Sequence, residues 1–113
     1  AEVSIDSYCE VPLDMFSPAA DYLLTVKGTS MVDIGIYEDD LLAVHKTDRA
    51  NNGDIVVARI EDEVTVKRLE TGRSKYKLRL IAENADFEPI EVDLRSQAFS
   101  IEGISVGVIR RSI

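Results

Sequence analysis

Ser30 stands two residues after Gly28 in the stretch VKGTSMVDIGI, and Lys67 lies in the valine-rich stretch EVTVKRL. A hydroxyl on a glycine-led turn and an amine inside a strand are the two parts of a Ser-Lys dyad, which is chemistry suited to proteolysis. Glycine takes backbone angles closed to other residues, so Gly28 suits a tight turn that presents Thr29, Ser30 and Met31. Ser30 would then be an exposed nucleophile with neighbouring backbone N–H groups as an oxyanion hole. The plainer reading has Ser30 capping a short helical turn over residues 31–34. Lys67 also has two readings. As a general base it must be neutral near physiological pH, although a free lysine has a pKa of ~10.4. Burial disfavours the ammonium form, so Lys67 and Thr65 would have to face a covered cleft. Otherwise Lys67 is one more solvated cation on the polar side of a hairpin.

Other chemistries find little support. His45 is the only histidine and sits at the end of the apolar run DLLAVHK, and no GxSxG elbow surrounds Ser30. Cys9 is the only cysteine, which excludes an internal disulfide and any multi-cysteine metal site. Glu38-Asp39-Asp40 is an acidic triplet for which a solvated turn is expected and calcium a distant alternative. No glycine-rich phosphate loop and no metal-ligand spacing occurs, so neither a cofactor nor a metal is expected.

These residues must be positioned by short strands. Residues 22–26 (YLLTV), 40–46 (DLLAVHK), 54–60 (DIVVARI), 64–69 (VTVKRL), 76–81 (YKLRLI) and 100–110 (SIEGISVGVIR) read as β-rich runs. Asn52-Gly53 is a turn signal. The triplet Glu61-Asp62-Glu63 separates two strands of a hairpin, in whose second strand Val64 and Val66 point one way and Thr65 and Lys67 the other. No amphipathic helix longer than two turns and no repeat is evident. The expected fold is mainly β, compact, with coiled or single-turn helical connections. Residues 1–20, interrupted by Pro12 and Pro18, are expected to be an arm, and residues 21–113 the domain.

The chain has 113 residues, enough for one core, and a net charge of -8. Residues 1–47 carry nine acidic and two basic side chains, a surface that phosphate backbones repel. A basic run from Lys67 to Arg79 is expected to be a solvated strand pair. No apolar run approaches the ~18 residues of a spanning helix, and the N-terminus lacks a basic-then-apolar signal. A soluble cytoplasmic protein is expected.

The segments ADYLLTVKGTSM, DIGIYEDDLLAVHKT, NGDIVVARIEDEVTVKRL, AENADFEPIEVDL and IEGISVGVIR occur in an order and spacing that resemble the C-terminal domain of the LexA family. These are the self-cleaving repressors of the bacterial DNA-damage response. The resemblance runs from about residue 16 to residue 110. It implies the β-rich fold shared with UmuD-type proteins and, more distantly, signal peptidases. By position it implies Ser30 as nucleophile, Lys67 as general base, and the amides of Thr29 and Ser30 as the oxyanion hole. The implied reaction is hydrolysis of one peptide bond in the protein's own chain, stimulated by RecA filaments on single-stranded DNA. It also implies a homodimer through the C-terminal strand region, where ISVGVIR could leave an open sheet edge. Operator DNA would be read only by an N-terminal domain absent from this chain. A UmuD-like polymerase accessory protein and a non-catalytic repressor dimerisation module are the alternatives.

Three features depart from the family. Its scissile pair, a small residue followed by glycine, does not occur here as Ala-Gly or Cys-Gly, and by alignment Ala1 falls a few residues past it. The winged helix-turn-helix is missing. The turn that often reads Asp-Gly-Asp is Glu38-Asp39-Asp40, which puts its geometry in question.

Overall fold

The computed structural model describes residues 2–4, 12–72 and 74–111, and the side chains of all but residues 2–4 and 13 among them. Cys9, Arg73 and residues 1 and 5–11 of the expected arm lie outside the described residues.

Eight strands form one antiparallel sheet: β1 (Glu2–Ser4), β2 (Tyr22–Lys27), β3 (Leu41–Lys46), β4 (Ile55–Ile60), β5 (Glu63–Thr71), β6 (Lys77–Ile81), β7 (Ile90–Asp93) and β8 (Phe99–Ile109). Their order is β1-β2-β3-β8-β4-β5-β6-β7. The sheet curls until β1 touches both sides: Glu2 pairs with Lys27 of β2 and with Thr65 of β5. Among the described residues helix is confined to 3-10 turns at Leu13–Met15 and Val32–Ile34. The mainly β expectation is met.

The apolar runs form strands buried on both faces, so successive side chains enter different cores. Leu24, Val26, Met31, Ile36, Leu42, Val44, Val57 and Val66 make one cluster. Val56, Ala58, Leu69, Leu78, Leu80 and Val92 make the other. Val56 and Val57, adjacent in sequence, serve opposite sides. In β5 Val66 joins the first cluster and Val64 packs against it, which turns Thr65 and Lys67 the other way, as the alternation predicts.

Two strands were not expected. β1 falls in the proposed arm and β7 precedes the last turn; with three and four residues, neither shows enough alternation to be read. The β4–β5 hairpin is also tighter than expected. Glu63 pairs with Ile60, so the loop is Glu61-Asp62, with Glu61 at φ 53°. The last strand corrects a further expectation. β8 is not an edge strand, because it lies between β3 and β4. Its ladder to β4 ends at Ile104, whereas its ladder to β3 runs on to Ile109. Among the described residues, 105–109 are thus paired on one side. Gly103 sits where both ladders meet. A Cβ there would approach Val44 Cγ1 to 2.5 Å and the His45 carbonyl to 2.8 Å.

No helix among the described residues is long and apolar enough to cross a membrane.

Candidate active site

β2 ends at Lys27, and the φ of +83° at Gly28 after it is the left-handed region that glycine reaches without strain. The chain then reverses through Thr29 and Ser30 into the 3-10 turn, which Gly35 terminates by donating its N–H to the Val32 carbonyl at 3.0 Å. Met31 is fully buried and pins the turn into the first core. Ser30 makes no cap: the 3-10 turn starts from Met31 and has no side-chain capping bond.

The Ser30 hydroxyl faces Lys67 instead. Lys67 Nζ lies 3.2 Å from Ser30 Oγ, and the two residues are 6% and 2% exposed. Nζ also hydrogen-bonds Thr65 Oγ1, two positions earlier on the same side of β5. The reading of Lys67 as a solvated cation is therefore wrong. Lys67 Nζ is thus held largely out of water, within hydrogen-bonding distance of both hydroxyl oxygens.

Ser30 and Lys67 line a cleft of about 620 Å³. Ile60, Val64, Phe87 and Ile90 supply apolar wall, and Gly28, Thr29 and Ser30 line it as well. The walls are the β2 end and β5, the two strands that β1 pairs with.

Glu38 and Asp39 of the acidic triplet are exposed in a turn, as expected, but Asp40 is buried. Asp40 is 2% exposed and receives Arg110 at both oxygens as well as the Tyr37 N–H at 2.7 Å. The Arg110 guanidinium, helped by the Tyr37 amide, holds the Asp40 carboxyl below its ordinary value. Asp39 pairs with Lys27, and Glu38 Oε1 accepts from the Gly28 N–H at 3.4 Å. The triplet thus braces the strand end that leads to Ser30. Asp39, at the position where the family often has glycine, keeps a left-handed φ of 71°, which aspartate tolerates better than most residues.

The remaining candidates lie elsewhere. His45 Nδ1 is 2.9 Å from the Ala19 carbonyl and 3.5 Å from Asp21 Oδ2, and so is engaged at the far end of β3. Among the described residues no cluster of three or more His, Cys, Asp or Glu could hold a metal. In the basic run Lys75 and Lys77 are exposed, while Arg68 pairs with Glu83 and Arg79 with Glu70 and Glu91.

Two contributors escaped the sequence reading. Thr65 was placed beside Lys67 on the side that must face a covered cleft, but not as its hydrogen-bond partner; its i, i+2 spacing from Lys67 was the available signal. Asn84, whose Nδ2 donates to the Thr29 carbonyl at 2.9 Å, left no signal, because 55 positions separate the two.

The pattern of the Peptidase S24-like family matches residues 1–106. The chain is 62% identical over 112 residues to a LexA repressor of Teredinibacter turnerae, covering 99% of this chain and 56% of that protein. It is 60% identical over 113 residues to one of Saccharophagus degradans, covering 100% and 56%, and 59% identical over 111 residues to one of Hahella chejuensis, covering 98% and 54%. The chain spans about half the length of these curated relatives. With the matched pattern covering nearly all of its residues, the chain belongs to the Peptidase S24-like family.

Proposed function

We propose that this chain is the self-cleaving and dimerising part of a LexA-type repressor, hydrolysing one peptide bond of its own protein through Ser30 and Lys67. The observation that carries the proposal is the buried 3.2 Å contact between Lys67 Nζ and Ser30 Oγ. Residues 21–113 are the catalytic domain, and residues 1–20 belong to the segment that precedes it.

In this reading neutral Lys67 takes the Ser30 proton as Oγ attacks the scissile carbonyl carbon. The backbone N–H groups of Thr29 and Ser30 stabilise the oxyanion of the tetrahedral intermediate. Lys67, now protonated, gives its proton to the leaving amine, which becomes the new amino terminus of the carboxy-terminal fragment as the C–N bond breaks. The acyl group remains on Ser30 Oγ as an ester. Water then attacks that ester while Lys67 accepts a proton from it. Collapse returns the proton to Ser30 Oγ and releases a carboxylate product.

The pairing of β1 with β2 and β5 supports a substrate drawn from the same chain. Glu2 lies opposite Lys27 and Thr65, residues that border the site, so an extended segment can add as a strand between its walls. Entry of the cleavage segment into the cleft makes control conformational as well as chemical. RecA filaments on single-stranded DNA are the proposed activator, and the cytoplasm the proposed location. Contact with operator DNA is assigned to the part of the relatives that this chain does not span. A homodimer is assigned to the C-terminal strand region, supported by the one-sided pairing of residues 105–109. The names of the relatives favour a repressor over a UmuD-like accessory protein, and the burial of both dyad residues favours live catalysis over an inert assembly module.

Product analysis of the full-length protein tests the proposal. Two fragments meeting at one bond, formed at neutral pH on adding RecA filaments and absent from Ser30→Ala, are expected. Identical fragmentation in Ser30→Ala would refute it.

A further inference from the structure

The loop between β6 and β7 grips the turn that carries Ser30. Asn84 Nδ2 donates to the Thr29 carbonyl at 2.9 Å. Asp86 N–H donates to Asn84 Oδ1 at 3.0 Å, which occupies the oxygen end of the amide and turns its N–H₂ end towards Thr29. Asp33 N–H donates to the Glu83 carbonyl at 2.9 Å, a second bond from turn to loop. Glu83 in turn pairs through its carboxylate with Arg68, the neighbour of Lys67 in β5, and Arg68 Nη1 donates to the Gly53 carbonyl at 2.6 Å. One loop therefore ties the Ser30 turn to the Lys67 strand.

The Thr29–Ser30 peptide unit is planar and trans, so its carbonyl and its N–H point in opposite directions. A donor that fixes the Thr29 carbonyl therefore fixes the direction of the Ser30 N–H. It also polarises the peptide unit, which strengthens that N–H as a donor. We infer that Asn84 is a positioning residue that aims the Ser30 N–H at the site where the oxyanion develops. This rests on the assignment of Ser30 and Lys67 proposed above.

The test follows self-cleavage of the full-length protein across pH for the parent, Asn84→Asp, Asn84→Ala and Ser30→Ala, with denaturant unfolding of each. Asn84→Asp keeps an oxygen for the Asp86 N–H, and hence the loop, but as a carboxylate donates nothing to Thr29. Asn84→Ala removes both bonds without adding charge. Loss of one oxyanion donor costs on the order of 10²–10³ in rate, so a misdirected donor should lower the high-pH plateau by about tenfold to thousandfold in both variants. The pH midpoint of Asn84→Ala should match the parent's, and Asn84→Asp should unfold with the parent. Parent-like cleavage by Asn84→Asp would overturn the inference, as would an Asn84→Ala defect that is wholly a shift of midpoint. A parent that never cleaves, or a Ser30→Ala variant that cleaves like the parent, would overturn the underlying assignment and this inference with it. A cleaving parent with an unaffected Asn84→Asp would overturn this inference alone.

Discussion

Arg110 embraces Asp40 from the end of the last strand: Nε lies 2.7 Å from Oδ1 and Nη2 lies 2.6 Å from Oδ2. The same guanidinium stacks over the Tyr37 ring at 4.6 Å and donates to the Gly35 carbonyl. One residue thereby holds the turn that closes the Ser30 loop against β8. The pair depresses the Asp40 pKa below its ordinary 3.8, chiefly through the Arg110 hydrogen bond. A carboxylate whose folded value is depressed contributes stability above its unfolded value and loses it as pH falls through the folded value. Urea midpoints across acid pH should therefore separate the parent from Arg110→Ala most above pH 3.8, with the gap narrowing below it. A gap that stays constant across that range would show that the ion pair is not its source.

Met31 anchors the nucleophile turn by full burial in the first core. Met31→Ala should cost about 2–5 kcal/mol of unfolding free energy, from lost burial and the cavity left behind. Met31→Leu, close in volume, should cost less than about 1.5 kcal/mol. Denaturant titration reads both, and equal losses would contradict the packing argument.

Gly28 has open space around a hypothetical Cβ, so the effect of Gly28→Ala comes from backbone conformation alone. At a φ of +83° an alanine should cost about 1–2 kcal/mol. Any relaxation of φ also moves Ser30, so self-cleavage should slow in the same variant. Parent-like stability and parent-like rate together would contradict the strain argument.

Val108 is 37% exposed on the portion of β8 that, among the described residues, pairs with β3 alone. Val108→Glu should convert the proposed dimer to monomer in sedimentation at micromolar concentration. A parent that sediments as monomer would sink the dimer assignment outright.

How far the site could be read from residues alone follows from the range of each interaction. Alternation along β5 fixes the side of Lys67 relative to Val66, and Gly28 announces the turn before Ser30, but the pairing of the two residues came from the family resemblance. What alternation cannot say is which covered space Lys67 enters, and only the curl of the sheet makes that a cleft shared with Ser30. Asp40 was misjudged as solvated because its partner lies 70 positions away. Asn84 was invisible for the same reason. β1 and β7 were missed because their pairing comes from long-range register, whereas β8 was found as a strand but its place inside the sheet was not.

The central claim is that Lys67, as a neutral amine, activates Ser30. The most direct measurement is the self-cleavage rate of the full-length protein from about pH 7 to about pH 10, spanning the range below the ordinary lysine pKa, beside Ser30→Ala and Lys67→Ala. The account predicts a rate that rises with pH to a plateau and disappears in both variants while each remains folded. A pH-independent rate, or cleavage retained in Lys67→Ala, would contradict it.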